Sequence, residues 1–181
     1  MMWSPRSVRI GAWLLGLAVM TLALGGCGSG PKAYGVSIEL DPDSMKNRST
    51  GMFPAVRADV MPAYDAAGRQ RLEAVSVTDH FNRPEADRQR TDRARTLSLG
   101  QTGRATLTAD DPVRASWGKP RFVVVMVDIP NYESRGGETR RAVLSMNPSR
   151  WGEDPVRLRV DRSGVTVVSP AKATGGEPDG Y

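Results

Sequence analysis

The run Phe122-Val123-Val124-Val125-Met126-Val127-Asp128-Ile129 constrains this chain more than any other stretch. Successive side chains of a strand point to opposite faces, so a strand apolar on both must be covered on both, in the middle of a sheet. Shorter runs around it alternate. Val36, Ile38 and Leu40 stand against Ser37 and Glu39, and Val56, Ala58 and Val60 against Arg57 and Asp59. Val75 and Val77 alternate with Ser76 and Thr78, and Val156, Leu158 and Val160 with Arg157 and Arg159. Leu97 to Leu99, Ala105 to Thr108, Arg141 to Met146 and Val165 to Ser169 are of the same kind. Period two is the signature of a half-buried strand. Turn-forming clusters separate them, among them Asp41-Pro42-Asp43-Ser44, Gly100-Gln101-Thr102-Gly103 and Asp161-Arg162-Ser163-Gly164. Leu72 to Thr78 is predicted to pair with the strand before it across Asp65 to Arg69. Asn82 to Arg95 has almost no apolar content and reads as a solvated loop or short polar helix. About eight short strands predict an all-β fold, an antiparallel β-sandwich.

The first 26 residues follow a different logic. Arg6 and Arg9 precede an apolar run from Ile10 to Leu24, which ends in Gly25, Gly26 and the chain's one cysteine, Cys27. These are the n-region, h-region and small-residue site of a secretory signal. Interrupted by Gly11, Gly16 and Thr21, the run falls short of the ~20 residues of a spanning helix. An uncleaved anchor, or an ordinary signal followed by a chance cysteine, are the competing readings. Leu24-Gly25-Gly26-Cys27 resembles the lipobox of bacterial lipoproteins. The resemblance implies that the Cys27 thiol receives a diacylglycerol, that the preceding bond is cut, and that the new amino terminus takes an N-acyl chain such as palmitate. The chain then divides into a lipoprotein signal peptide (1–26), a lipidated flexible tether (27–33), a β-sandwich domain (34–169) and a disordered tail (170–181). Gly28 stands where lipoproteins kept in the inner membrane carry Asp, which favours the periplasmic face of the outer membrane.

Composition narrows the chemistry. Removing 26 of 181 residues leaves 155, one domain's worth. Arg6 and Arg9 leave with the signal, so 25 basic residues become 23 against 20 acidic ones, a balance too mild for a nucleic-acid binder. With Cys27 committed to lipid there is no thiol for a disulfide or for catalysis, and His80 is the single histidine. A GxSxG elbow, an HExxH pair, a phosphate-binding loop and an EF-hand spacing are absent. No catalytic residue, metal site, cofactor or small-molecule substrate is therefore predicted. Asp79-His80 reads as a solvated polar pair rather than half of an acid/base couple, and Asp110-Asp111 before Pro112 as a turn. The arginine-rich segment from Arg83 to Arg95, interleaved with acids and lacking aromatics, reads as a plain solvated face. Trp117 and Trp151 are either interface anchors or plugs at the ends of the sandwich core. Tyr132, in the loop from Pro130 to Arg140, joins them as a candidate partner contact, and the loops Asn82 to Arg95 and Pro130 to Arg140 are the candidate gripping elements.

In layout the mature chain resembles the outer-membrane lipoprotein of the type VI secretion membrane complex (TssJ-like). The points of contact are the lipobox at Cys27, Val36-Ser37-Ile38-Glu39-Leu40 running into Asp41-Pro42-Asp43, the turn Leu97-Ser98-Leu99-Gly100-Gln101, and Phe122 to Val127. Leu99-Gly100 lacks the proline that the family tends to carry there, and the charged run after Arg83 replaces an apolar stretch. The resemblance implies a non-catalytic module that pins a trans-envelope machine to the outer membrane by gripping a protein partner. The alternative is a free-standing envelope lipoprotein that binds wall polymer or another envelope protein.

Cys27→Ser is expected to abolish lipid labelling and leave the precursor uncut, because the lipoprotein peptidase acts only after the sulfur is modified. The mass of the mature chain checks this; normal processing of the variant would assign the chain to an ordinary signal peptidase.

Overall fold

The computed structural model describes residues 34–134, 136–147, 150–151 and 154–170. The signal peptide, Leu24-Gly25-Gly26-Cys27, the tether and the tail beyond Pro170 lie outside the described residues. Eight strands form two four-stranded sheets. One sheet runs β4 (Arg104–Leu107), β1 (Val36–Leu40), β7 (Val156–Asp161), β8 (Gly164–Val167); the other runs β3 (Arg95–Ser98), β2 (Arg57–Ala63), β5 (Phe122–Asp128), β6 (Arg141–Ser145). The all-β sandwich expected from the alternating runs is present, and β5 occupies an interior position in its sheet. One pairing is not antiparallel: β1 and β7 run parallel, Ile38 opposite Leu158. Parallel neighbours need a long crossover, and the chain from β1 to β7 passes through the entire second sheet.

The facing sides of the sheets enclose the main core. Val36, Ile38, Leu40, Val156, Leu158 and Val160 from one sheet meet Ala58, Val60, Val123, Val125, Val127 and Leu144 from the other. The alternate residues of β2 and β5, Met61, Ala63, Val124 and Met126, form a second cluster on the outer side with Leu72, Val77 and Phe81. Those last three belong to helices, α2 (Ala66–Ala74) and α3 (Val77–Asn82), followed by α4 (Glu85–Asp92). Two shorter helices, α1 (Pro42–Met45) and α5 (Pro112–Ser116), lie in the connections β1–β2 and β4–β5. A helical layer thus covers the sheet that contains β5, which is why β5 is apolar on both faces.

This layer corrects the strand expected over Leu72 to Thr78. Asp65 accepts from Gly68 N (2.7 Å) and Ser76 from Asp79 N (3.4 Å), so a cap starts α2 and another starts α3. The alternation of Val75 and Val77 has a local cause: Val75 closes α2 and Ser76 opens α3, and both are extended. Arg141 of β6 completes the junction by donating to the carbonyls of Glu73 and Val75 at the end of α2. Pro62 is tolerated within β2 because the β3 ladder ends at Val60 opposite Arg95.

Registers fix which loops share an end. β1 ends at Leu40, whose N–H donates to Gly103 O (2.7 Å), and Leu99 N donates to Val56 O (3.0 Å). Arg57 pairs with Asp128, and Asp161 with Gly164. The connections 41–56, 99–103, 129–134 with 136–140, and 161–164 therefore gather at one end. The opposite end holds Tyr34, the connection 108–121, residues 146–147, 150–151 and 154–155 between β6 and β7, and Arg93 between α4 and β3. Strands of five and seven residues separate the two ends by about 17–23 Å.

Val125, fully buried between Val60 and Ala142, is expected to unfold the domain when changed to Asp. An unpaired interior carboxylate costs several kcal/mol against a total of about 5–15 kcal/mol. Asp128→Ala removes a half-exposed ion pair with Arg57 (2.6 Å) at the strand end and should cost under about 1 kcal/mol. Thermal melts of the two variants check the contrast.

Candidate functional site

The four connections that meet beyond Leu40 and Asp128 build a surface suited to gripping another chain. Asp41 opens α1 by accepting from Ser44 N (3.2 Å), and Met45 on α1 is buried in the main core, so the helix is pinned at both levels. Asn47 Oδ1 then accepts from Ser49 N (2.8 Å) and Thr50 N (3.1 Å), and Asn47 N donates to Met52 O (2.9 Å). These bonds close a tight loop with Gly51 at φ 68°, a conformation that glycine adopts without a Cβ clash. The loop lifts Met52 into solvent at 52% exposure. Phe53 folds back under Lys46, whose ammonium lies 5.0 Å from the ring centroid. The ring packs so closely on Gly103 that a Cβ there would lie 2.5 Å away.

The β5–β6 connection is braced against the β7–β8 turn. Tyr132 OH and Thr139 Oγ1 are hydrogen-bonded at 2.7 Å, Thr139 Oγ1 donates to Ser163 O, and Glu133 N donates to Arg162 O at 2.9 Å. The Arg140 guanidinium lies 4.5 Å from the centroid of the Tyr132 ring and pairs with Glu138 at 2.7 Å. That hydrogen bond holds the Glu138 carboxyl below its ordinary range and raises Arg140. Between the braced loops lies a groove of about 310 Å³ lined by Met45, Met52, Phe53, Pro54, Pro130 and Asn131, among others. A wider polar groove of about 710 Å³ adjoins it, lined by residues that include Lys46, Arg48, Glu133 and Arg162. An exposed thioether beside a half-apolar groove, rimmed by both signs of charge on loops held by hydrogen bonds, suits a protein side chain better than a small polar substrate.

Of the sequence-predicted contacts, Tyr132 sits at this end, half-buried, as part of the bracing. Trp117 and Trp151 sit at the opposite end, 2% and 7% exposed, packed into the main core. Met52 and the α1 loop gave no signal in the sequence beyond an exposed-looking polar stretch.

The second candidate gripping element, Asn82 to Arg95, holds the short polar helix that is one of its two sequence readings. It contains α4, which is docked on the sheet by buried charge. Asp59 of β2, fully buried, accepts from Arg88 Nε (2.7 Å), Thr96 Oγ1 (2.6 Å) and His80 Nε2 (2.8 Å). Arg83 Nη2 contacts His80 Nδ1 at 2.7 Å, and a guanidinium only donates, so Nδ1 accepts and the imidazole proton is on Nε2. Arg83 also pairs with the buried Asp92, and Arg88 Cζ lies 5.1 Å from the centroid of the Phe81 ring. His80 is therefore no solvated loop residue, and the arginine-rich run is not solvated throughout: Arg90 and Arg93 are exposed, but Arg88 is a buried donor to Asp59, beside His80 and Thr96 that flank the run. Burial pushes the Asp59 carboxyl up, but the bonds from His80, Thr96 and Arg88 outweigh it and hold it below its ordinary range. Asp111, expected in a turn, caps α5 by accepting from Val113 N (2.8 Å). Among the described residues, no group of three His, Cys, Asp or Glu is placed to hold a metal ion, and no helix is long and apolar enough to cross a membrane.

No family model matches the chain, and no curated protein matches it in sequence. Solved structures do match its fold. A chain of a type VI membrane complex is 13% identical with a TM-score of 0.52, over 77% of this chain and 99% of that one. A chain in the structure of the T6SS protein TssM C-terminal domain from EAEC is 13% identical with a TM-score of 0.51, over 76% and 98%. Serratia marcescens Lip, a membrane bound component of the type VI secretion system, is 18% identical with a TM-score of 0.46, over 77% and 97%. The resemblance read in the sequence therefore holds at the level of the fold.

Asp59→Ala, which strands Arg88 and His80 in the interior, should cost about 3–5 kcal/mol. Because the folded pKa of Asp59 is lowered, its contribution is complete above the unfolded value of about 3.9 and is lost as pH falls through the lower folded value. Urea melts across that acid range should show a loss of stability in the parent that Asp59→Asn does not share.

Proposed function

We propose that this chain is a lipid-anchored, non-catalytic module of a type VI secretion membrane complex, tethering the complex to the outer membrane through a protein partner held at the loop end of the sandwich. The observation that carries this reading is the match of the fold to nearly the whole length of chains from two such structures. The lipobox at Cys27 supports the anchor, with diacylglycerol and N-acyl chains as the only groups the chain would carry. Two or three chains hold firmly where one holds marginally.

The polarity of the domain supports the division of labour. The described chain begins at Tyr34, at the end of the sandwich opposite the braced loops. A tether of seven residues, 27 to 33, has a reach of roughly 15 Å and a limit of about 25 Å. The tethered end then stays near the bilayer while Met52, Asn131 and Arg162 point into the periplasm, where a partner approaches. Strand registers and core packing hold the loops, so binding there orders little additional chain.

Met52→Glu and Arg162→Glu alter exposed side chains and are expected to leave the melting temperature within the range of ordinary surface changes, about 0.5 kcal/mol. Each should reduce co-purification of an envelope protein from intact cells by tenfold or more, the scale of an interface hot spot. Recovery of the same partner at parental yield with both variants would sink the loop-end reading. Recovery of wall polymer alone would establish the free-standing alternative.

A further inference from the structure

At the end of the sandwich where the described chain begins, aromatic and basic side chains form one connected layer. Tyr34 OH donates to Trp151 O (3.1 Å), and Trp151 Nε1 donates to Ser145 O (2.8 Å). Across the end, Tyr64 OH donates to Trp117 O (2.8 Å). Arg93 donates to Tyr64 OH (2.8 Å) and Ser116 O (3.1 Å), bonds that hold Arg93 at φ 54°. Arg114, 2% exposed, lies over the Trp117 ring at 5.3 Å and donates to Met146 Sδ (3.4 Å).

Cations outnumber carboxylates here by two among the described residues. Lys119, Arg121 and Arg93 are exposed and Arg150 half-buried, and none of these, nor Arg114, is ion-paired to a carboxylate among the described residues. Arg114 Nε is buried without a hydrogen-bond partner among them. Four carboxylates at this end keep their charge but are held in place. Asp65 caps α2, Asp111 caps α5 and pairs with Arg95 (3.4 Å), Asp154 accepts from Gly35 N (2.7 Å), and Asp110 is held by the Thr108 hydroxyl. Among the described residues at this end, Arg93, Arg95, Arg114, Lys119, Arg121 and Arg150 face Asp65, Asp110, Asp111 and Asp154, a net charge of +2 over an aromatic layer, beside Tyr34 where the described chain begins.

We propose that this end of the sandwich is a membrane-facing surface that rests on anionic phospholipid headgroups, with Lys119, Arg121, Arg93 and Arg150 supplying the attraction. The proposal deepens the anchored reading and rests on it, since a lipid on Cys27 brings this end within about 25 Å of a bilayer. Trp117 and Trp151 are buried, so they buttress the surface and do not insert; Tyr64, 41% exposed, is the aromatic that reaches headgroup level. The contact is electrostatic, hence screened by salt, and it fixes the domain with its braced loops pointing away from the membrane.

Cys27 is the only cysteine, so a single added thiol labels the lipidated chain at a chosen position. A fluorophore at Ala115→Cys reports on the membrane-facing end and one at Arg48→Cys on the loop end; both positions are exposed. The full mature chain is placed on vesicles of neutral phosphatidylcholine, or of phosphatidylcholine with phosphatidylglycerol, bearing a headgroup acceptor. Phosphatidylglycerol is expected to raise energy transfer from position 115 and not from position 48, and high salt to reverse the change. Each basic residue near an anionic surface contributes a factor of about five, so Lys119→Glu with Arg121→Glu should lower the equilibrium constant for the face-down orientation by at least about 25-fold. Transfer indifferent to lipid charge, salt and these substitutions, or a rise at position 48 instead, overturns the proposal. The anchor is read separately: failure of the parent chain to stay on neutral vesicles removes the lipid reading. Salt-reversible recruitment to phosphatidylglycerol by position 115 would then still support the headgroup contact.

Discussion

The buried carboxylate of Asp59 is the constraint on which the layered structure depends. It points from a central strand into the outer cluster, where an ionised group without partners would cost several kcal/mol. His80, Arg88 and Thr96 come from α3, α4 and β3, three elements that must be in place together for the charge to be satisfied. Removing any one leaves polar groups stranded, so the helices and the sheet are coupled as a unit. The apolar contacts of Leu72, Val77 and Phe81 supply area; the charge cluster supplies position.

That coupling leaves the two ends of the sandwich free for different tasks. One sheet is covered by helices, and the facing sides of both are consumed by the main core, so the ends and the outer side of the β1 sheet are what remains. At one end, loops carrying an exposed Met52 are braced by Asn47, Tyr132 and Thr139. At the other, aromatic rings back Arg93, Lys119, Arg121 and Arg150, which have no carboxylate partner among the described residues. The two ends are separated by the core-forming strands, whose registers hold the loops of one end in fixed relation to the aromatic layer of the other.

Much of this was legible in the residues. Phe122 to Asp128 announced a central strand because both of its faces are apolar, and β1, β7 and β8 announced themselves by strict alternation. Val75 and Val77 misled, since four alternating residues are compatible with two helix caps set back to back. The signals that decide between them, Asp65 three residues before Gly68 and Ser76 three before Asp79, are capping spacings that outweigh a short β pattern. Tyr132 was recognised and stands at the loop end, but as bracing. Met52 was not, because an exposed methionine becomes informative only when its loop is closed around it.

What the sequence by itself determined is the placement of the eight strands, the sandwich class and the expectation of a lipid on Cys27, since each follows from local periodicity, turn chemistry or a contiguous tetrapeptide. Tertiary structure alone decided that Asp59, His80, Arg88 and Asp92 are interior, that β1 and β7 run parallel, and that the gathered loops and Tyr34 lie at opposite ends. The physical reason is range. A charged residue looks solvated when only its neighbours in sequence are considered, and whether it is buried depends on donors brought from segments 21 to 37 residues away. Only closure of the fold brings those donors to the carboxylate.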